Sequence, residues 1–99
     1  RQRQMCIRDR DKLEVEIENE TMLKTAIAAG VDVIMFDNQQ PEWIQQHIHL
    51  VPDFIQTEAS GNINEENVVA YAKAGVDFIS MGALFYASKA LDISAKVVM

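Results

Sequence analysis

Cysteine, proline and glycine are all scarce in this chain of 99 residues, which holds one Cys, two Pro and four Gly. A lone Cys6 cannot build a disulfide framework and fits a reducing cytosol, so a staple-dependent secreted domain is excluded. No apolar run approaches the roughly 18 residues that mark a membrane span, and the N-terminus lacks the apolar core of a signal peptide. A soluble, cytoplasmic protein is therefore expected. Basic charge is scarce as well, outside the first ten residues. Arg1, Arg3, Arg8 and Arg10 supply four of the nine basic residues, and from residue 11 onward five lysines and no arginine face fourteen acids, a net of −9. Such a body repels nucleic acid, which is not expected as a partner, and no membrane is expected either. The sequence divides into a leader at 1–11, read as disordered or non-native and assigned no role, and a domain at 12–99. One domain fits this length, but a complete (β/α)8 barrel needs roughly 250 residues.

What is present is apolar patterning, in 48% of residues. KLEVEIE at 12–18 alternates Leu13, Val15 and Ile17 with Glu14, Glu16 and Glu18, the period-two mark of a strand with one apolar face. Asn19 can cap a following helix, in which Met22, Leu23, Ala26 and Ile27 recur at helical spacing until Gly30. VDVIMF at 31–36 is a continuous apolar run, as in a strand buried on both faces of a parallel sheet. Pro41 suits a first helical turn, with Trp43, Ile44 and Ile48 as the apolar stripe of a short helix. A third strand is expected at 54–59, a helix capped by Asn64 running through Ala74, and a fourth strand at 76–81. From Ala83 a short helical turn is expected, followed by a closing strand or helix at 91–98.

AAGVDVIMF at 28–36 recurs as KAGVDFISM at 73–81. Helix, glycine, valine, aspartate and strand thus appear twice, the signature of β/α units in which a short turn feeds a buried strand. Strands separated by helices run parallel, which predicts an α/β fold, either a barrel or a doubly wound sheet, with its chemistry at the carboxyl ends of the strands. Those ends read Glu16 to Glu18, Asp37-Asn38, Glu58-Ala59-Ser60-Gly61 and Ser80-Met81-Gly82. Alternate glutamates on one strand lie about 7 Å apart. Each neighbouring pair repels by about 2.4 kcal/mol at a dielectric near 20 but only about 0.6 in water. The face is therefore either solvated or loaded with cations. Asp37 ends a wholly apolar strand, where an unpaired carboxylate is costly, so an acidic pair at a barrel mouth could hold Mg²⁺ or sugar hydroxyls. Ser60-Gly61 precedes a capped helix and Gly82 ends the next strand. Glycine lets backbone N–H groups approach an anion, and barrel enzymes often bind phosphate between their last two loops, although Ser-Gly-Asn is also an ordinary turn.

In order and spacing, LEVEIE, VIMFDN, EASGNIN, AGVDFISMGAL and ALDIS resemble the C-terminal half of the quinolinate phosphoribosyltransferases, across nearly all of residues 12–96. The resemblance implies part of an open (β/α) barrel, TIM-barrel-like and truncated on its N-terminal side. It also implies an enzyme that acts as a homodimer or higher oligomer. With Mg²⁺, such an enzyme converts quinolinate and phosphoribosyl pyrophosphate to nicotinate mononucleotide, pyrophosphate and CO2 in NAD biosynthesis. Carried over by residue, it assigns Glu16 and Asp37 to the ribose and metal end of phosphoribosyl pyrophosphate. It assigns Ser60, Gly61 and Asn62 to a phosphate loop, with Met81, Gly82 and Ala83 to its neighbour.

This chain has Asn62 where members usually have a second glycine; asparagine tolerates positive φ, so the loop is expected to survive. Phe85-Tyr86 stands where many members have a Thr-His pair. The family's basic dicarboxylate pocket matches nothing in this chain, which alone is expected to be inactive. His47 and His49 read as solvent-side helix residues, Trp43 and Tyr71 as packing residues, and Lys73, Lys89 and Lys96 as surface charges. Two alternatives share these features: another phosphate-binding β/α-barrel enzyme, or a noncatalytic barrel remnant acting by chain association.

Overall fold

The computed structural model describes residues 6–9, 12–82 and 84–88. Six strands form one sheet in chain order: β1 (Cys6–Asp9), β2 (Lys12–Ile17), β3 (Val33–Asp37), β4 (Gln56–Ser60), β5 (Phe78–Met81) and β6 (Leu84–Ala87). The central four strands pair in parallel, and β1 and β6 close the two edges antiparallel. Helix α1 (Glu20–Ala29) links β2 to β3, α2 (Pro41–His47) leads from β3 towards β4, and α3 (Val68–Lys73) links β4 to β5. This is the α/β class the alternation of elements predicts. Within the leader, Cys6–Asp9 forms a strand paired with β2, Cys6 lying opposite Val15.

The pleat sorts the sequence onto two faces. Val15, Ile17, Ile34, Phe36, Ala59, Ile79 and Met81 join Met22, Leu23, Ala26, Ile44, Val68, Tyr71 and Ala72 of the helices in one buried core. The other face carries Glu14, Glu16, Met35, Asp37, Glu58, Ser60 and Ser80, and no described helix packs on it. Burial alternates along β2 as the glutamate pattern predicts, with Val15 and Ile17 buried and Glu14 and Glu16 half-buried. β3 is apolar on both faces up to Phe36, with Val33 buried and Met35 half-buried on the acidic side, where Asp37 ends the strand.

The caps follow local chemistry. Asn19 Oδ1 accepts from Met22 N at 2.8 Å, and Gly30 ends α1 at φ 75°. The repeated Gly-Val-Asp unit has a further role. Asp32 Oδ2 accepts from Leu13 N at 2.8 Å, and Asp77 Oδ2 accepts from Thr57 N at 3.0 Å, so each aspartate ties its strand's entrance to the preceding strand.

Several boundaries differ from expectation, among them β5, which begins at Phe78, after the Asp77 clamp, rather than at 76. The third strand begins at Gln56 because Pro52 to Ile55 makes a turn, with Ile55 N donating to Pro52 O at 3.0 Å, and Phe54 stands 80% exposed. The second strand begins at Val33, after the Asp32 clamp. Asn64 Oδ1 accepts from Glu66 N and Asn67 N and caps a turn, so the helix proper starts only at Val68. Instead of a helical turn after Met81, β6 folds back on β5 with Met81 opposite Leu84, a hairpin that Gly82 permits at φ 61°. The closing element expected at 91–98 and the residue Ala83 lie outside the described residues.

Candidate functional site

Glu16 lies opposite Met35 on β2 and β3, and Asp37 lies opposite Ser60 on β3 and β4. Glu16 and Asp37 are therefore diagonal neighbours on one face, with Cα atoms about 8 Å apart from strand spacing and rise. Side chains of that length can converge on a ligand above the strand ends. Ser60 Oγ donates to Asp37 Oδ1 at 3.3 Å and lies 3.5 Å from Met35 Sδ, joining the two sequence-predicted groups directly.

Beyond Ser60 the chain turns through two left-handed residues, Gly61 at φ 93° and Asn62 at φ 57°. Asn62 thus takes the positive φ its side chain tolerates. Glycine at 61 is required by space as well as by φ, since a Cβ there would stand 2.5 Å from Asn38 Oδ1. Continuing the pairing of Ala59 with Ile79 sets Gly61 and Gly82 at the ends of neighbouring strands. The Met81 side chain is only 7% exposed and packs in the helix-facing core, so only its backbone can serve the site. Glu16, Asp37, Ser60, Gly61, Asn62 and Gly82 thus lie at one end of the sheet, as the sequence predicts; Ala83 falls outside the described residues.

Two residues on this face carry more than the sequence assigned. Glu58 is 8% exposed, and burial pushes its carboxyl up to about 8, with the hydrogen bond and the charge of Glu14 acting in the same direction. Lys12, Glu14, Val33, Gln56, Glu58, Phe78 and Phe85 line a concavity of about 270 Å³. Its sequence signal is the alternation Gln56, Glu58, Ser60, which marks a polar face on β4. The second is Asn38, whose backbone N–H donates to Ser60 O at 2.9 Å and whose Oδ1 accepts from Asn62 Nδ2 at 3.3 Å. Its only sequence signal is its place after the last strand residue.

His47 differs from the expected solvent-side residue. Its ring stacks on Trp43 at 3.9 Å, its Nδ1 lies 2.8 Å from Trp43 O, and its Nε2 lies 3.5 Å from Glu20 Oε1. The first two contacts lie within α2, and the third reaches Glu20 at the start of α1, leaving the imidazole half-buried. His49 is exposed, as expected. Tyr71 is buried and donates to Gln39 O at 2.8 Å, and Trp43 meets Phe36 edge-on at 6.1 Å, both as packing residues.

Among the described residues, no three His, Cys, Asp or Glu side chains converge into a metal-holding group. Glu16 and Asp37 nevertheless supply the hard oxygen donors that Mg²⁺ takes when it arrives with a phosphate ester, one or two carboxylates being sufficient. Among the described residues no helix is long and apolar enough to cross a membrane.

The fold and this end of the sheet define a parallel β/α protein with carboxylates and a glycine loop at its strand ends. The model of the quinolinate phosphoribosyl transferase C-terminal domain matches residues 1–96. The chain belongs to that family. It is 49% identical over 87 residues to the probable nicotinate-nucleotide pyrophosphorylase [carboxylating] of Bacillus subtilis, covering 88% of this chain and 30% of the relative. It is 39% identical over 94 residues to the protein of that name in Methanocaldococcus jannaschii, covering 88% and 33%. The nicotinate-nucleotide pyrophosphorylase [carboxylating] of Dictyostelium discoideum is 37% identical over 93 residues, covering 87% and 30%. The chain spans about a third of the length of these relatives.

Proposed function

We infer that this chain carries the phosphoribosyl pyrophosphate end of a quinolinate phosphoribosyltransferase site. The observation that supports it is the register: Glu16, Asp37 and Ser60 share one face, and the left-handed Gly61-Asn62 turn lies directly beyond them. In this reading Glu16 and Asp37 hold the ribose and the Mg²⁺ that accompanies pyrophosphate. Ser60, Gly61 and Asn62 take the phosphate through hydroxyl and backbone donors, with Gly82 and Ala83 on the neighbouring strand end. The four parallel strands are a segment of an open barrel, and their acidic face is its interior.

The chemistry this end performs is electrostatic. As pyrophosphate departs, positive charge develops at the ribose, and carboxylates placed there before the reaction stabilise it without reorganising. Mg²⁺, when bound, neutralises the leaving pyrophosphate. Quinolinate brings two carboxylates that need cationic partners, preferably arginine, and residues 11–99 hold no arginine. Those partners belong to the remainder of the enzyme, which acts as a homodimer or higher oligomer in the cytoplasm.

Calorimetric titration with phosphoribosyl pyrophosphate and Mg²⁺ tests the assignment. Glu16→Gln and Asp37→Asn should each weaken binding roughly ten-fold, as expected for one charged hydrogen-bond partner. Unchanged affinity in both variants overturns it.

A further inference from the structure

Asn62 is larger than a loop that must let an anion approach its backbone ordinarily tolerates, and the structure shows what its side chain does. Its Nδ2 donates to Asn38 Oδ1 at 3.3 Å, turning the amide back toward the end of β3. Its carbonyl accepts from Asn67 Nδ2 at 3.0 Å, fixing the other side of the turn to the entrance of α3. Asn38 is itself held in place, since its N–H donates to Ser60 O at 2.9 Å and its backbone is left-handed at φ 58°. The same amide oxygen occupies the space that a side chain at 61 would fill, 2.5 Å from that Cβ position. One side chain thus meets both residues of the turn.

We propose that Asn38 is a positioning residue for the anion-binding loop: its amide oxygen parks the Asn62 side chain against the end of β3, leaving the Gly61-Asn62 backbone open to phosphate. This rests on the reading of residues 60–62 as an anion site. Asn38 touches no substrate in this account; it acts through Asn62.

Inorganic phosphate is the probe, followed through the amide resonances of Gly61 and Asn62. Asn38→Gly keeps the left-handed backbone and removes the amide, and should weaken phosphate binding about five-fold, the effect of one hydrogen bond. In the Asn62→Gly background, which has no side chain to park, Asn38→Gly should cause no further loss, a coupling that a purely structural role for Asn38 does not give. Asn38→Ala is measured beside Asn38→Gly, so the result does not depend on the folding of one variant. Wild-type affinity in both Asn38 variants, or an equal loss from Asn38→Gly in the Asn62→Gly background, overturns the positioning role and leaves the anion site standing. If phosphate shifts neither amide in the wild-type chain, the anion reading falls, and Asn38's role falls with it.

Discussion

Glu58 of β4 and Glu14 of β2 face one another across β3 on the acidic side of the sheet, lining the same concavity. Two carboxyls in this position cannot both ionise cheaply. Burial, then the Glu14 hydrogen bond and charge, hold Glu58 protonated up to about pH 8.

The pH dependence follows from that raised value. A carboxyl whose folded pKa exceeds its unfolded one stabilises the fold fully below the unfolded value, and loses that contribution as pH rises through the folded value. The chain should therefore lose stability between about pH 4.5 and about pH 8. The total should be a few kcal/mol at most, at about 1.4 kcal/mol per unit. Glu58→Gln keeps a hydrogen-bond donor and should flatten this slope. Urea melts at several pH values decide it, and an unchanged slope in the variant refutes the assignment to Glu58.

The two aspartates of the repeat are not equivalent. Asp77 Oδ2 accepts from both Thr57 N and Thr57 Oγ1, and Thr57 is only 3% exposed, whereas Asp32 Oδ2 accepts from Leu13 N in an exposed setting. Asp77→Ala should cost about 1–3 kcal/mol, the penalty for stranding buried donors, and Asp32→Ala less than about 1. Denaturant midpoints of the two variants measure the order, and a larger loss at Asp32 contradicts it.

Two glycines with positive φ give a matched comparison. Gly30 has φ 75° with nothing within 4 Å of a built Cβ, while at Gly61 the Cβ meets Asn38 Oδ1. Gly30→Ala should cost about 1 kcal/mol from backbone conformation alone. Gly61→Ala should cost more and also shift the Asn38 resonances. Equal losses, with Asn38 unmoved, count against the packed loop.

Turnover provides the remaining test. All four arginines lie within the first ten residues, so residues 11–99 offer five lysines and no bidentate arginine for two substrate carboxylates. The purified 99-residue chain should show no quinolinate phosphoribosyltransferase activity. Measurable nicotinate mononucleotide from quinolinate overturns that expectation.

Much of this was legible along the chain. The alternation of Leu13, Val15 and Ile17 with glutamates, and the two Gly-Val-Asp units, reveal strand faces because side-chain period is a local property of the pleat. Boundaries were less legible where a turn competes with an apolar run. Phe54 reads as strand, yet Pro52 bends the chain there and leaves the ring exposed. His47 reads as a surface residue although its spacing of four from Trp43 allows stacking within one helix; its Glu20 contact depends on how α2 lies on α1.

The α/β class, the acidic face and the glycines after β4 and β5 are legible in the sequence, since periodicity and backbone freedom are written residue by residue. Only the tertiary structure decided which groups meet. Glu14 and Glu58 are 44 positions apart, and Asn38 and Asn62 are 24. They come together through the parallel register of β2, β3 and β4, and register is set by packing of the whole apolar face rather than by any one segment.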